Sequence, residues 1–413
     1  MDQYNKYSNL ELDILIEKLK YINVINYGDF ILKSGIKSNY YCDFRILISY
    51  PNILKSIFKL IPVTLYEDVD LICGVFFGGM PLANLISFEK NIPQIFIRDE
   101  QKTYGKKKLI EGIYKEGQTV LLIEDVITTG ESMLEKIKIL EGYGFKIKLL
   151  TILNRNNDLQ TLNNYIINSI FPLNKIINGN DNQSNLNKIY KLAFKKQSNI
   201  ILSVDLNNSR DIINLIEETK DNIVGIKIHS DIICDFNNLL IYLKQIKEDF
   251  IIIEDCKVAD ISFISIQKVR NYTNYADYIT YHCLLGDDLP ITLKKEFNNL
   301  GVLGVVEMSV KNSFIDINYI NKTENQLNLM DGCIIQKNGL KLFNSKLPIT
   351  FSPGISLNNK LDDYNQTYKN PLDEKVGEFW IVGRSIYLEK NIKEESKKYK
   401  DFGWSYFVNF NLS

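Results

Sequence analysis

The stretch FIIIEDCKVAD, residues 250–260, decides how the second half of this 413-residue chain is read. An apolar run from Phe250 to Ile253 ends in Glu254 and Asp255, with Cys256, Lys257 and, a little further on, Asp260 behind it. Side chains two apart share one face of a strand, so Asp255 and Lys257 point the same way and Cys256 turns to the wall. Lys227 follows the preceding apolar run, and together these residues can alternate two carboxylates with two ammonium groups in one pocket. Such an array perturbs pKa values and sets a proton donor beside a fixed negative charge; a salt-bridge network at a barrel rim uses the same spacing.

Around that stretch the alternation is regular. Apolar runs of strand length fall at 200–204, 223–226, 250–253, 278–280, 302–306, 333–335, 349–351 and 379–382. Eight βα units in about 220 residues is the arithmetic of a (β/α)8 TIM barrel, with its active site at the C-terminal strand ends. Those ends carry Asp205, Lys227, Asp255, Lys257, His282, Glu307, Ser309, Pro353, Gly383 and Arg384.

The first half alternates too, with strands expected over 71–75, 92–97, 119–123 and 146–153 and a helix over 132–140, a parallel α/β pattern. The polar stretch NKIINGNDNQSNLNK, 174–188, has little to bury and reads as a joint. The expected organisation is a first domain over 1–172, a linker over 173–190 and a barrel over 191–413. In the first domain LLIEDVITTGES, 121–132, runs from a strand through Glu124 and Asp125 to a hydroxyl-rich turn and a helix start. Backbone N–H groups at a helix N-terminus favour anions, Thr128, Thr129 and Ser132 add donors, and the carboxylates can accept from vicinal sugar hydroxyls. That combination suits a sugar phosphate, although a helix cap with a surface acidic pair has the same spacing.

Lys plus Arg number 49 against 50 for Asp plus Glu, a net charge of -1, which disfavours nucleic acid as the main partner. Six cysteines without a CxxC pair argue against a zinc ribbon or disulfide framework and suit a reducing compartment. The N-terminus MDQYNK lacks an apolar signal core, and no apolar run approaches the ~20 residues of a membrane span. With His229 and His282 the only histidines, a multi-histidine metal site has little material. A cytoplasmic enzyme with no membrane partner is the expectation.

The 121–132 loop resembles the type I phosphoribosyltransferases. FILKSGIKS at 30–38, YYCDFR at 40–45, GVFFGGMPLA at 74–83, the segment 98–105 and Asn154-Arg155 point to orotate phosphoribosyltransferase in particular. The resemblance covers about residues 10–160. It implies that Lys33, Arg98 and Lys102 meet the pyrophosphate of phosphoribosyl pyrophosphate, with Mg2+ bound mainly through that substrate rather than by direct protein ligation. It also implies that Glu124, Asp125, Thr128, Thr129, Gly130 and Ser132 hold the ribose phosphate. Arg155 would face the orotate carboxylate, Phe76 and Phe77 would lie near its ring, and 102–111 would form a lid. Asp99 stands where the family usually has a basic residue, and Tyr104 where it usually has histidine.

The D-x-K-x-x-D motif resembles the orotidine 5′-monophosphate decarboxylase superfamily, which includes the related hexulose phosphate synthases. Ser203-Val204-Asp205, Lys227 to Asp231, Glu307-Met308-Ser309, Ser352 to Ile355, Gln366-Thr367-Tyr368 and Ile381 to Arg384 favour the decarboxylase. The resemblance implies that Lys257 delivers a proton to C6 without a cofactor, beside Asp255, with Lys227 and Asp260 completing the array. Asp205 would hold the ribose, Ser309 the pyrimidine, and Pro353, Gln366, Tyr368, Gly383 and Arg384 the phosphate region. The family's sites are shared across a homodimer, with Asp260 reaching the second subunit; Ile264 replaces a usual threonine.

Together the halves imply that orotate and phosphoribosyl pyrophosphate give orotidine 5′-monophosphate, which then becomes UMP. Two rivals are a barrel acting on a different sugar phosphate and an active decarboxylase carrying an inactive or regulatory transferase domain.

Overall fold

The structure, a computed structural model, describes residues 9–31, 37–98, 109–156, 158–171, 173, 176, 185–310, 313–343, 348–358 and 368–412. The chain divides into two compact units, Met1–Asp181 and Asn182–Asn411.

In the first unit a parallel sheet is built from β3 (Leu71–Gly74), β6 (Thr119–Ile127), β7 (Lys146–Asn154) and β9 (Tyr165–Phe171), with β8 (Thr161–Leu162) antiparallel at its edge. Its order, β3-β6-β7-β9-β8, leaves the longest strands in the middle. A hairpin of β1 (Ile25–Ile31) and β2 (Lys37–Cys42) and a small one of β4 (Phe96–Ile97) and β5 (Ile110–Glu111) stand outside that sheet. The apolar run at 92–97 gives only the two-residue β4, because Pro93 and Gln94 meet Ile72 in a single bridge rather than a ladder. Strand β6 is longer than its apolar core suggests: its pairing with β7 continues to Ile127 opposite Asn154, so Glu124 and Asp125 lie inside the strand. The expected helix is Glu131–Gly142, which buries Met133, Ile137 and Leu140.

In the second unit a closed barrel runs through β10 (Ile200–Val204), β11 (Gly225–Ile228), β12 (Ile251–Val258), β13 (Tyr278–His282), β14 (Gly301–Val305), β15 (Gly332–Ile334), β16 (Ile349–Pro353) and β17 (Phe379–Val382). All neighbours pair in parallel, and β17 returns to β10. Each strand overlaps an apolar run of the sequence; β11 begins two residues later than expected, which places Lys227 within it. The barrel interior packs aromatics in sequence, Tyr278 on Phe351 at 6.2 Å and Phe351 on Phe379 at 5.5 Å between ring centroids. Phe379 continues onto Phe407 of the closing helix Ile392–Leu412.

The polar joint is shorter than its composition implies. Helix Asn185–Lys196 begins inside the 173–190 stretch because its apolar side buries Ile189, Tyr190, Leu192 and Ala193 among polar neighbours. Lys188 of that helix pairs with buried Asp277 at 2.7 Å, and Tyr190 donates to Glu378 at 2.7 Å. All six cysteines are free thiols, and no described helix is long and apolar enough to cross a membrane.

Residues 78–79 set how closely the turn after β3 approaches β6. A Cβ on Gly78 would lie 2.1 Å from the Asp125 carboxyl carbon, and one on Gly79 2.0 Å from the Ile123 carbonyl oxygen. The Gly79 clash is with backbone, which cannot rotate away. Gly79→Ala is expected to destabilise the first unit by roughly 1–3 kcal/mol, the range for overpacking. Denaturant unfolding followed on that unit checks this; an unchanged midpoint would refute the close approach.

Candidate active sites

In the first unit, the C-terminal end of β6 carries Glu124, buried, and Asp125, half-buried. Asp125 caps its own following amide, receiving Val126 N–H at 2.9 Å, and its carbonyl accepts from Thr151 Oγ1 at 3.1 Å. The chain then turns through Gly130, whose φ of +80° is a left-handed conformation that glycine adopts without strain, into helix Glu131–Gly142. Thr128 is half-buried, while Thr129 and Ser132 are exposed. The end of β6, the turn after it and the start of the helix thus carry two carboxylates, three hydroxyls and a helix N-terminus in succession.

Arg155 is tied to the β1–β2 hairpin. Its guanidinium stacks 4.1 Å from the Tyr40 ring centroid and donates to Ser38 Oγ at 2.8 Å. Its backbone N–H donates to the Ile127 carbonyl at 2.8 Å, which anchors it beside the acidic loop. Phe76 and Phe77 are both exposed, edge to face with centroids 5.6 Å apart. Arg98 does not stand free: it pairs with Glu111 across the β4–β5 hairpin at 2.7 Å. Lys33, Asp99, Lys102 and Tyr104 lie outside the described residues, as does most of the expected lid.

In the barrel the charged array forms around Asp255. Its Oδ2 receives Lys227 Nζ at 2.7 Å and Lys257 Nζ at 2.8 Å, and its Oδ1 receives Thr280 Oγ1 at 2.7 Å. Burial pushes this carboxyl toward the neutral acid, but the Lys227 and Lys257 ammonium groups outweigh it and hold Asp255 well below the usual carboxylate range. The regular alternation expected for 255–257 is not what brings Lys257 there. The ladder of β12 with β13 shifts register between Glu254 and Val258, and Lys257 has φ of +43°. Thr280 steadies that irregular turn, accepting from Lys257 N–H at 2.9 Å while donating to Asp255.

His229 joins the array, its Nε2 3.0 Å from Lys227 Nζ and 3.4 Å from Asp255 Oδ2. Burial first, then the Lys227 charge, lower its pKa, so a neutral ring can accept from Lys227. Asp260 does not enter the array of its own chain. It lies in the loop, exposed, and pairs with Lys268 at 3.1 Å on the helix that follows.

Asp205, Lys227, Pro353, Tyr368, Gly383 and Arg384 line a small pocket open to solvent. Lys227 belongs to both, so pocket and array adjoin. Ser309 is half-buried after β14, and Gln366 lies outside the described residues. Glu307 is spent on structure, accepting from the Gln336 and Gly339 amides at 2.8 Å each. Sequence reading passed over Thr280, His229 as an array member, and Glu254. Each depends on the register between neighbouring strands, which the chain order does not display.

A phosphoribosyltransferase domain followed by a decarboxylase-type barrel is the class of protein that this fold and these two sites define. Residues 58–180 match the model of the phosphoribosyl transferase domain, and residues 198–399 that of the orotidine 5′-phosphate decarboxylase / HUMPS family. Uridine 5′-monophosphate synthase of Bos taurus is 26% identical across 96% of this chain and 98% of its own length. The enzyme of that name from Caenorhabditis elegans is 25% identical across 96% of both. Orotate phosphoribosyltransferase of Methanocaldococcus jannaschii is 39% identical over 34% of this chain and 81% of its own length. The chain belongs to the uridine 5′-monophosphate synthase family, bifunctional enzymes of pyrimidine biosynthesis with a transferase and a decarboxylase domain. Relatives that match through both domains favour this over a barrel for another sugar phosphate or a decarboxylase with an idle first domain.

Glu254, one residue before Asp255, gives a pH signature. Burial pushes its carboxyl up from 4.5 to about 7, against the hydrogen bonds from Ser230 and Tyr275. Asp231 adds repulsion, and Tyr272 and Cys256 are the other titratable neighbours. A carboxyl raised on folding contributes stability fully present below about pH 4.5 and lost as pH rises through about 7. Wild-type protein is therefore expected to lose stability relative to Glu254→Gln across that window, by up to about 3 kcal/mol, and then level off. Unfolding free energies of both proteins from pH 5 to 8 read the difference; parallel curves would contradict it.

Proposed function

We propose that the two sites act in sequence: the first joins orotate to phosphoribosyl pyrophosphate, and the second removes CO2 from the resulting orotidine 5′-monophosphate to leave UMP. The observation that carries the second step is Asp255, kept ionised between Lys227 and Lys257.

In the first step the bond from ribose C1′ to pyrophosphate breaks as orotate N1 bonds to the same carbon, its N1 proton passing to the departing pyrophosphate or to solvent. Glu124 and Asp125 take the ribose hydroxyls, and Thr128, Thr129, Ser132 and the helix N-terminus take the 5′-phosphate. Arg155, held by Ser38 and Tyr40, meets the orotate carboxylate, and Phe76 and Phe77 flank the ring. Lys33, Arg98 and Lys102 neutralise the departing pyrophosphate, for which Arg98 leaves Glu111. Among the described residues no group of three or more His, Cys, Asp or Glu could cage a metal ion. Mg2+ would be held chiefly by the phosphate oxygens of phosphoribosyl pyrophosphate rather than by direct protein ligation, and would supply charge neutralisation there.

In the second step the C6–carboxylate bond breaks, CO2 leaves, and its electron pair stays on C6. Lys257 stabilises that developing charge and then delivers a proton to C6. Lys227 fixes Asp255 beside the departing carboxylate. Asp205 holds the ribose, Ser309 the pyrimidine, and Pro353, Gln366, Tyr368, Gly383 and Arg384 the phosphate, Arg384 through its planar fork of donors.

A homodimer completes the array, with Asp260 reaching the site of the second subunit. What supports this is the apolar surface around it: Ile261, Phe263 and Ile264 at the start of the helix after β12, and Leu284 and Leu285 in the short turn after β13, are exposed. A monomer rarely leaves so many apolar groups uncovered beside one functional loop. The enzyme acts in the cytoplasm, without a membrane or nucleic-acid partner.

Subunit complementation tests the chemistry and the shared site together. Lys257→Ala and Asp260→Ala are each expected to release almost no CO2 from supplied orotidine 5′-monophosphate. Mixed and allowed to exchange subunits, they should recover about a quarter of wild-type activity, because half the dimers then own one intact site. A mixture as inactive as its components, from subunits shown to exchange, would refute the shared site; activity in Lys257→Ala alone would refute the proton donor.

A further inference from the structure

Glu254 is 1% exposed and takes no part in the chemistry above, yet it is bonded to the site from behind. It sits on β12 opposite Ile228 of β11, with its side chain turned away from Asp255. Oε1 accepts both the Ser230 N–H and the Ser230 hydroxyl at 3.0 Å, and Oε2 accepts the Tyr275 hydroxyl at 2.9 Å. Ser230 opens the short turn Ser230–Ile232, directly after Lys227 and His229. Its neighbour His229 is the ring that meets both Lys227 and Asp255.

We propose that Glu254 is a positioning residue for decarboxylation: by gripping Ser230 from the outer side of β12, it fixes the His229 ring against Lys227 and so fixes the direction from which Lys227 holds Asp255. This rests on the decarboxylase reading of the array and deepens it.

The chemistry of the grip explains the residue type. All three groups aimed at Glu254 are donors, and its two carboxyl oxygens accept them. An apolar side chain would leave the Ser230 N–H and two hydroxyls to find other partners in a closed space, at the cost of unsatisfied buried donors. Glutamine keeps one oxygen for Ser230, and the Tyr275 hydroxyl can rotate to accept from its amide. The two partners differ in what they join: Ser230 follows His229 directly in the chain, whereas Tyr275 packs on Phe236 and Tyr272. Loosening the first should disturb catalysis, and loosening the second should disturb mainly stability.

Full-length protein supplied with orotidine 5′-monophosphate, and UMP binding measured in parallel, give the test, with Lys257→Ala as reference. Glu254→Ala should lower kcat on the order of 10- to 100-fold, the scale for misplacing catalytic groups by about an ångström. UMP affinity should stay within about twofold, because Asp205 follows β10, Tyr368 lies between β16 and β17, and Arg384 follows β17, all away from Glu254 on β12. Glu254→Gln should restore most of kcat, and Ser230→Ala should lower it more than Tyr275→Phe does. The deciding comparison is a double-mutant cycle with His229→Ala. If Glu254 acts through His229, adding Glu254→Ala to His229→Ala should cost little further kcat. Wild-type kcat in Glu254→Ala, or an equal loss with and without His229, would overturn the proposal. Should Glu254→Ala fail to fold, Ser230→Ala in the same cycle decides by the same two outcomes. Normal turnover by Lys257→Ala would instead overturn the array's assignment, leaving the two failures distinguishable.

Discussion

Asp255 carries a full negative charge in the barrel interior, and the rest of the second unit is arranged to keep it there. An isolated carboxylate in such a place would take up a proton, because the cost of burying a charge exceeds the cost of neutralising it. Two ammonium groups and a hydroxyl, delivered by β11, the end of β12 and β13, reverse that balance. Removing one partner of such a buried pair typically costs 3–5 kcal/mol, so the geometry of the strands and the charge of the site are mutually dependent. The left-handed turn at Lys257 follows from the same requirement. Asp255 and Lys257 must meet on one side of a strand that is ending, and Thr280 on the neighbouring strand holds both.

The first unit solves a different problem. On the proposed reading its ligand carries most of the charge, so the protein supplies acceptors for hydroxyls and donors for phosphate rather than a buried ion. Glycines at 78 and 79 let the turn after β3 lie directly against Asp125 and the β6 backbone. Arg155 is placed by stacking on Tyr40 and bonding to Ser38, so a residue far along the chain is oriented by the hairpin at its start. Arg98 has a carboxylate partner in Glu111 across the β4–β5 hairpin.

Much of this was legible in the chain. Eight apolar runs became eight barrel strands because parallel strands buried on both faces are continuous in their hydrophobicity. The polar groups after those runs did converge, with Asp205, Lys227, Pro353, Tyr368, Gly383 and Arg384 around one pocket. What could not be read was register. Thr280 opposite Asp255, Glu254 against Ser230, and the continuation of β6 beyond its apolar core all depend on pairing between strands distant in sequence. The helix at Asn185–Lys196 was hidden for another reason: its few buried side chains are diluted by Asn and Lys, so composition there resembles a linker. Asp260 shares the motif's spacing but pairs with Lys268 on the following helix, a contact that the order of residues does not display.

One chain carrying both steps in order has a simple signature in carboxyl-labelled orotate given to purified protein. Labelled CO2 is expected only when phosphoribosyl pyrophosphate and Mg2+ are both present, because C6 loses its carboxylate only after N1 has gained the ribose phosphate. Release without phosphoribosyl pyrophosphate, or no release from folded protein that decarboxylates supplied orotidine 5′-monophosphate, would contradict it.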